Sequence, residues 1–498
     1  MSDSPSRITR RHACGLVGGG LAGFCGGLLW SPRLPSAQLF GLSPAQERQI
    51  GAEEHPKIIE QFGGVYEDPK MGGYVAVIGA QLAVATGAPL DQFTFTLLDS
   101  PIVNAFAIPG GYVYVTRGLV ALAGNEAELG GVLGHELGHV VARHASQRQS
   151  QSTLAQLFAL GIGLAGSAAG AGAGLGNVVG NLAGAYLQSY SRDQEFEADT
   201  LGVTYLTRAG YSSVAMASFL AKLREHSRLE AEIEGRSPDE VDAYNIMATH
   251  PRTVERVQRA TQAANAAGGD GRLGRDEFLD SVDGMTFGDD PDDGIIRGRE
   301  FAHRALGFRF EVPQGYNLVN RPDLVAATPT GRSDSLIVFD LGDAKFSGSM
   351  ADYIARAWAP RGVSVRDLER IQVNGMDAGT GWFRANTQTG QADIRMVAIR
   401  LDPQHIYRFQ FVAPAQGLSR MNTVFRDTTY SFRRLTPAEI EGIHAKRLRT
   451  VTVEPGQSVD AFAARMQVDS HALDWFRVLN GLEPGQGLNR GERVKLVV

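Results

Sequence analysis

Cysteine is almost missing from this chain of 498 residues: Cys14 and Cys25 are the only two. Residues 26–498 therefore hold no thiolate zinc site, no cysteine nucleophile and no disulfide framework. Positive charge is not in excess either. The net charge of −6 supplies no basic field to hold a nucleic acid, so no nucleic-acid partner is expected. Repeated long apolar spans are also lacking. With 43% hydrophobic and 20% charged residues, the composition is that of a soluble globular protein, neither disordered nor polytopic. What is plentiful is glycine, 60 residues, and length. At about 100–200 residues per domain, the chain predicts several domains.

Residues 1–37 read as an export signal. Arg7, Arg10, Arg11 and His12 precede an uncharged, glycine-rich run from Ala13 to Trp30, followed by Pro32, Pro35 and a small-residue site at Ser36-Ala37. Arg10-Arg11 before a weakly apolar run resembles a twin-arginine (Tat-like) signal. The other reading is an uncleaved anchor over residues 13–30, just long enough to span. Both send the body of the chain across a bacterial inner membrane, to the periplasm.

From Leu42 to about Ala266 the pattern is mainly helical. Ser43-Pro44-Ala45-Gln46-Glu47 is a helix start, with a serine cap and a proline in the first turn. Phe93–Leu98 alternates as a strand, and Asn104–Thr116 reads as two strands around a Gly110-Gly111 turn. A helix is predicted over Glu126–His144. Residues 149–191 carry no charge and are rich in alanine and glycine; two short apolar helices joined by a glycine loop are expected, offering peripheral contact to lipid or an unfolded client. Residues 266–296 read as a linker whose Asp289–Asp293 run is a solvated acidic turn and not a calcium loop. Residues 297–436 alternate over 308–312, 336–340, 394–401 and 406–412, with a helix near 350–359, which predicts an α+β domain on an antiparallel sheet. Residues 450–498 form a short strand, two helices and a closing strand.

The chemistry-bearing run is His135-Glu136-Leu137-Gly138-His139. On a helix, positions i and i+4 share a face, so both imidazoles can reach one metal. Glu136, rotated roughly 100° around the axis, lies beside that metal and suits a base acting on its bound water. The plainer reading is a polar face with two unrelated histidines. The apolar residues on both sides count against it, because buried histidines need partners. A catalytic zinc takes a third protein ligand. His144 follows His139 at a spacing that suits neither the extended histidine motif nor a bond from the same turn. Glu195 and Asp199, again i and i+4, are the stronger pair: Glu195 to bind metal, Asp199 to accept a ligand's N–H. Taken alone, that pair would read as an ordinary acidic helix face.

These residues resemble the M48-type gluzincin metallopeptidases, a family of periplasmic quality-control and membrane-bound prenyl-protein proteases. Four elements carry the likeness: Asn104–Gly111, His135–His144 with Arg143, Ser191-Arg192 through Glu195 to Asp199, and Thr249-His250-Pro251 with Arg256. The resemblance implies one Zn2+ per chain on His135, His139 and Glu195, with Glu136 as general base and acid. It implies that Asp199 and Arg192 stand behind the ligands. Asn104, Ala105 and Phe106 would form the edge strand that pairs with extended substrate. His250 would act near the metal; as a residue preceding Pro251 it reads equally as a helix cap. The C-terminal segment resembles a LysM module, through Val453–Val459, Leu479-Asn480-Gly481 and Gly491–Leu496, which implies a peptidoglycan partner; the alternative is a small packing domain that binds nothing. Residues 297–436 faintly resemble PsbP/Mog1-like domains.

The expected fold is multidomain α+β. A mainly α-helical zincin-type peptidase domain with a small edge sheet covers 38–265, then come the 266–296 linker, the α+β domain and a βααβ LysM-like module. The expected function is zinc-dependent endopeptidase cleavage of misfolded or unfolded envelope proteins by Glu136-assisted attack of zinc-bound water. An envelope chaperone or assembly factor, or a cell-wall-binding module, with proteolysis secondary, is the rival class.

Overall fold

The computed structural model describes residues 42–147, 190–238, 254–330, 335–343, 345–387 and 390–498. The expected export signal, the apolar stretch up to residue 189 and His250 lie outside the described residues. Helix α1 (Pro44–Gln61) starts as predicted: the Ser43 hydroxyl accepts from Gln46 N while the Gln46 side chain accepts from Ser43 N. Helix α2 (Pro69–Thr86) is capped by Asp68 and ends at Gly87, whose φ of 81° is left-handed. Strands β1 (Thr94–Leu98), β2 (Ala105–Ile108) and β3 (Tyr112–Thr116) form one sheet in the order β1-β3-β2. β3 runs parallel to β1 and antiparallel to β2. The turn between β2 and β3 requires glycine: Gly111 has φ 84°, and a Cβ there would stand 1.8 Å from the Gln92 carbonyl oxygen. β2 is left at the edge and pairs with β3 alone among the described strands.

Helices α3 (Arg117–Leu122) and α4 (Glu126–Val141) follow, then helices Arg192–Arg208, Val214–Ile233 and Val254–Ala266. Their core holds Leu82, Leu133 and Phe219 and runs without a break into Phe278, Phe476 and Leu496 near the C-terminus. Among the described residues, no helix is long and apolar enough to cross a membrane.

The 266–296 stretch departs from the linker expectation. Helix Arg275–Val282 buries Phe278, Leu279 and Val282 completely, and strand Thr286–Phe287 pairs with strand Lys446–Thr452. The glycine- and aspartate-rich composition hid three apolar residues spaced for one helix face. The acidic run closes its own turns: Asp290 accepts from Asp292 N, Asp292 pairs with Arg304, and Asp289 accepts from Ile296 N. Burial pushes the Asp289 carboxyl up to about 6.

Beyond it lies a seven-stranded antiparallel sheet, in the order 366–373, 376–387, 390–402, 405–414, 336–342, 325–329, 316–320. Helix Leu418–Ser431 covers one face with Phe425 against Phe411. On the other face the helix expected near 350–359 is a single α turn, Met350–Tyr353, running into a π turn, Ile354–Trp358.

The C-terminal segment has the βααβ order: strand Lys446–Thr452, helices Val459–Ala463 and Ala472–Asn480, strand Arg493–Val497. It is docked on the helical body. The Lys495 ammonium, fully buried, donates to the carbonyls of Ala121 and Ala123 at 2.6 Å each, at the end of α3. Burial and the nearby Lys222 charge push its pKa well down, and the Glu128 charge opposes them. Arg275 bridges the two parts by donating to Gly124 O and Arg493 O. Lys495→Met leaves those helix-end carbonyls unsatisfied and is expected to destabilise the helical body by about 1–3 kcal/mol. Urea unfolding followed by tryptophan fluorescence checks this; an unchanged midpoint would show that the dock contributes nothing.

Candidate metal centre

Helix α4 begins where Asn125 caps it, its side chain accepting from Glu128 N. Every residue from Glu126 to His139 is buried, and only the last turn of the helix reaches solvent, at Val141. Its partner, helix Arg192–Arg208, opens with a Ser191/Gln194 capping box. The two helices meet through small residues. A Cβ on Gly138 would lie 3.0 Å from Ala198 O, one on Gly134 3.3 Å from Gly202 Cα, and one on Gly202 3.0 Å from His135 N. Mid-helix glycine costs about 1 kcal/mol in each case. Here it allows a backbone approach that larger residues would block.

That approach brings His135, His139 and Glu195 together. The two Nε2 atoms are 3.0 Å apart, and each lies 3.6 Å from an oxygen of Glu195. The three ligand atoms fall within 4.8 Å of one another, and all three residues are buried. Two imidazole nitrogens and one carboxylate oxygen turned towards one point, with no thiolate, is the donor set of a catalytic zinc. It is the one such group among the described residues.

Behind the ligands stands a buried charge network. Asp199 Oδ1 lies 2.9 Å from His135 Nδ1, which leaves Nε2 to face the cluster. Arg256 donates to both Asp199 oxygens, at 2.8 and 2.6 Å, and its Nη1 lies 2.8 Å from Glu195 Oε2. Burial alone would raise the Asp199 carboxyl; the Arg256 charge and hydrogen bonds, with His135, hold it well below the usual carboxylate range. Burial would likewise lower the guanidinium, and Asp199, Glu195 and Glu136 hold it up. Glu136 is itself 2% exposed.

The sequence-predicted residues divide as follows. His135, His139, Glu195 and Asp199 meet in one place, with Glu136 next to them on α4. Arg192 does not join them: it lies on the exposed first turn of its helix. Arg256 occupies the position behind the ligands instead; its only sequence signal was its place in the Thr249–Arg256 element. Asn104 is buried beside Thr116, donating its N–H to Oγ1 and accepting from that hydroxyl through its carbonyl. Ala105 and Phe106 open β2, and the Phe106 ring turns inward against Phe62 and Tyr114. The backbone groups of Asn104 are thus taken up by Thr116, and what β2 can offer a ligand is its outer backbone edge and not the Phe106 side chain. β2 continues beside a cleft of about 300 Å³ lined by Ala107, Ile108, Pro109, Gly110, Val140 and Tyr190, with His139 at its wall. Tyr190 stacks on His139 at 3.8 Å, a contact no motif announced.

The model of peptidase family M48 matches residues 69–264, the span that holds this cluster. Residues 69–264 are thus similar to the M48 peptidases. The beta-barrel assembly-enhancing protease of Escherichia coli strain K12 is 30% identical over 229 residues, 45% of this chain and 45% of its own length. The Yersinia pestis protein of the same name is 34% identical over 260 residues, 48% of this chain and 51% of its own. The chain thus spans about half the length of the curated relatives it matches. Among solved structures, the yeast Ran-binding protein Mog1p aligns at a TM-score of 0.23 and 11% identity, over 28% of this chain and 96% of its own. Cyanobacterial PsbP aligns at 0.23 and 13%, over 27% and 91%.

Within the M48-like span, Arg256 is the one cation contacting both Asp199 and Glu195 among the described ion pairs. Arg256→Ala strands two buried carboxylates and is expected to destabilise the metal-free protein by about 3–5 kcal/mol. Denaturant unfolding in the presence of a chelator measures it; a loss below about 1 kcal/mol would mean that the network is already screened by water.

Proposed function

We propose that this chain is a zinc-dependent endopeptidase acting on misfolded or unfolded proteins of the bacterial envelope. The observation that carries the reading is the buried His135–His139–Glu195 cluster, with Glu136 beside it, inside the M48-like span. Zinc held by those three residues would supply Lewis acidity to polarise the scissile carbonyl and acidify water. The remaining steps belong to the chain itself. Glu136 takes the proton from the attacking water and returns it to the leaving amine. Asp199 holds the His135 ring in the tautomer that leaves Nε2 available, and Arg256 keeps Asp199 ionised and pairs with Glu195. The outer edge of β2 offers backbone N–H and C=O groups to an extended peptide, which favours unfolded segments over folded ones. His250, outside the described residues, is assigned to transition-state stabilisation on the motif alone.

The envelope setting is supported by the export-signal reading of residues 1–37 and by the relatives, whose name ties them to β-barrel assembly. On this reading the mature chain works in the periplasm without any disulfide.

Glu136→Gln is expected to keep stoichiometric zinc and to slow casein cleavage by about 10²-fold or more. His135→Ala is expected to lose the metal. Metal analysis beside a casein assay covers both; full activity in the Glu136 variant, or full zinc in the His135 variant, would overturn the assignment.

A further inference from the structure

The two histidine ligands are not supported alike. His135 has its own buried carboxylate, Asp199. On the far side of the His139 ring, Nδ1 lies 2.9 Å from Nδ1 of His144. His144 is wholly buried, and its Nε2 lies 3.3 Å from Glu197 Oε2. We propose that His144 is a positioning residue for His139, the middle link of a relay that ends on the exposed carboxylate of Glu197. This rests on the zinc-peptidase reading above.

Backbone geometry brings His144 there. Helix α4 ends at Val141, and Arg143 takes φ 55°, a left-handed conformation uncommon for a residue with a side chain. The chain reverses at that point and returns the next ring towards α4, where it meets the His139 ring edge-on at 5.0 Å and 71°. The reversal is braced from α1: Arg143 pairs with Glu47 at 2.9 Å and donates to Leu42 O.

The proton order follows from valence. Of two facing imidazole nitrogens, one must carry hydrogen and the other accept it. His139 Nε2 faces His135 and Glu195, so as a ligand it must present a lone pair. Its hydrogen then sits on Nδ1 and is donated to His144 Nδ1. His144 in turn carries its hydrogen on Nε2, towards Glu197. Tyr190, stacked on the His139 face, closes the remaining freedom of that ring. The link was not legible in the residues, since the spacing of His144 from His139 fits no direct ligand role.

The test is zinc affinity of the full chain, read by competition with a chromogenic chelator, with thermal melting of the zinc-free proteins as the fold control. His144→Leu keeps the bulk but removes the acceptor, and is expected to weaken zinc binding about 10–100-fold. His144→Asn places an oxygen near the lost Nδ1 and should stay within about threefold of wild type. Glu197→Ala, at an exposed position, should weaken binding by about threefold. Wild-type affinity in His144→Leu, or equal loss in the Leu and Asn variants, would refute the relay; an unaltered Glu197→Ala would refute its outer link. Absence of zinc binding by wild type would instead bring down the metallopeptidase reading and the relay with it.

Discussion

The close contact between α4 and helix Arg192–Arg208 is the constraint on which the candidate centre depends. Neither helix carries a complete site. α4 supplies two imidazoles and Glu136; its partner supplies Glu195 and Asp199. The ligand atoms can converge only if the helix backbones approach to a distance that side chains normally prevent. Gly134, Gly138, Ala198 and Gly202 make that approach possible. Because α4 is buried from Glu126 to His139, the same packing also lowers the polarity around the centre, which strengthens the charge interactions inside it.

Burying three carboxylates, Glu136, Glu195 and Asp199, beside two imidazoles creates an electrostatic cost that the fold offsets with one guanidinium. Arg256 comes from a third helix, Val254–Ala266, and meets Asp199 with the fork geometry that suits a carboxylate. The ligands are therefore pre-ordered: the carboxylate oxygens have fixed partners, and each histidine is turned by a hydrogen bond from its far side. Asymmetry remains between those two supports. One is short and sealed, the other passes through His144 to a solvated carboxylate.

The C-terminal βααβ segment has a place in this arrangement. Lys495 holds the end of α3, two residues before the Asn125 cap of α4, and Lys222 pairs with Glu128 in the first turn of α4. The segment is thus continuous with the packing that starts the metal helix. The sequence did not announce this contact, because the dock consists of backbone carbonyls and one lysine that no motif marks.

Helix α1, the β2–β3 turn, the buried α4, the pairing of His135 with His139 and the i, i+4 relation of Glu195 to Asp199 were all legible in the residues. Each depends on local spacing, capping or glycine chemistry, which neighbours in sequence determine. What composition averaged away, the helix at 275–282, was lost because its three apolar residues stand among aspartates and glycines. The role given to Arg192 fell to Arg256 because nearness in sequence to a ligand does not fix the direction of a side chain. The contact of Glu195 with the histidine pair, the Arg256 bridge, the turn that returns His144 to His139 and the Lys495 dock all join residues far apart or reversed in the chain. Sequence by itself determined which side chains could hold a metal and on which helices they stand. Only the tertiary structure decided which of them meet, because helix approach and charge burial are properties of packed surfaces and not of any one segment.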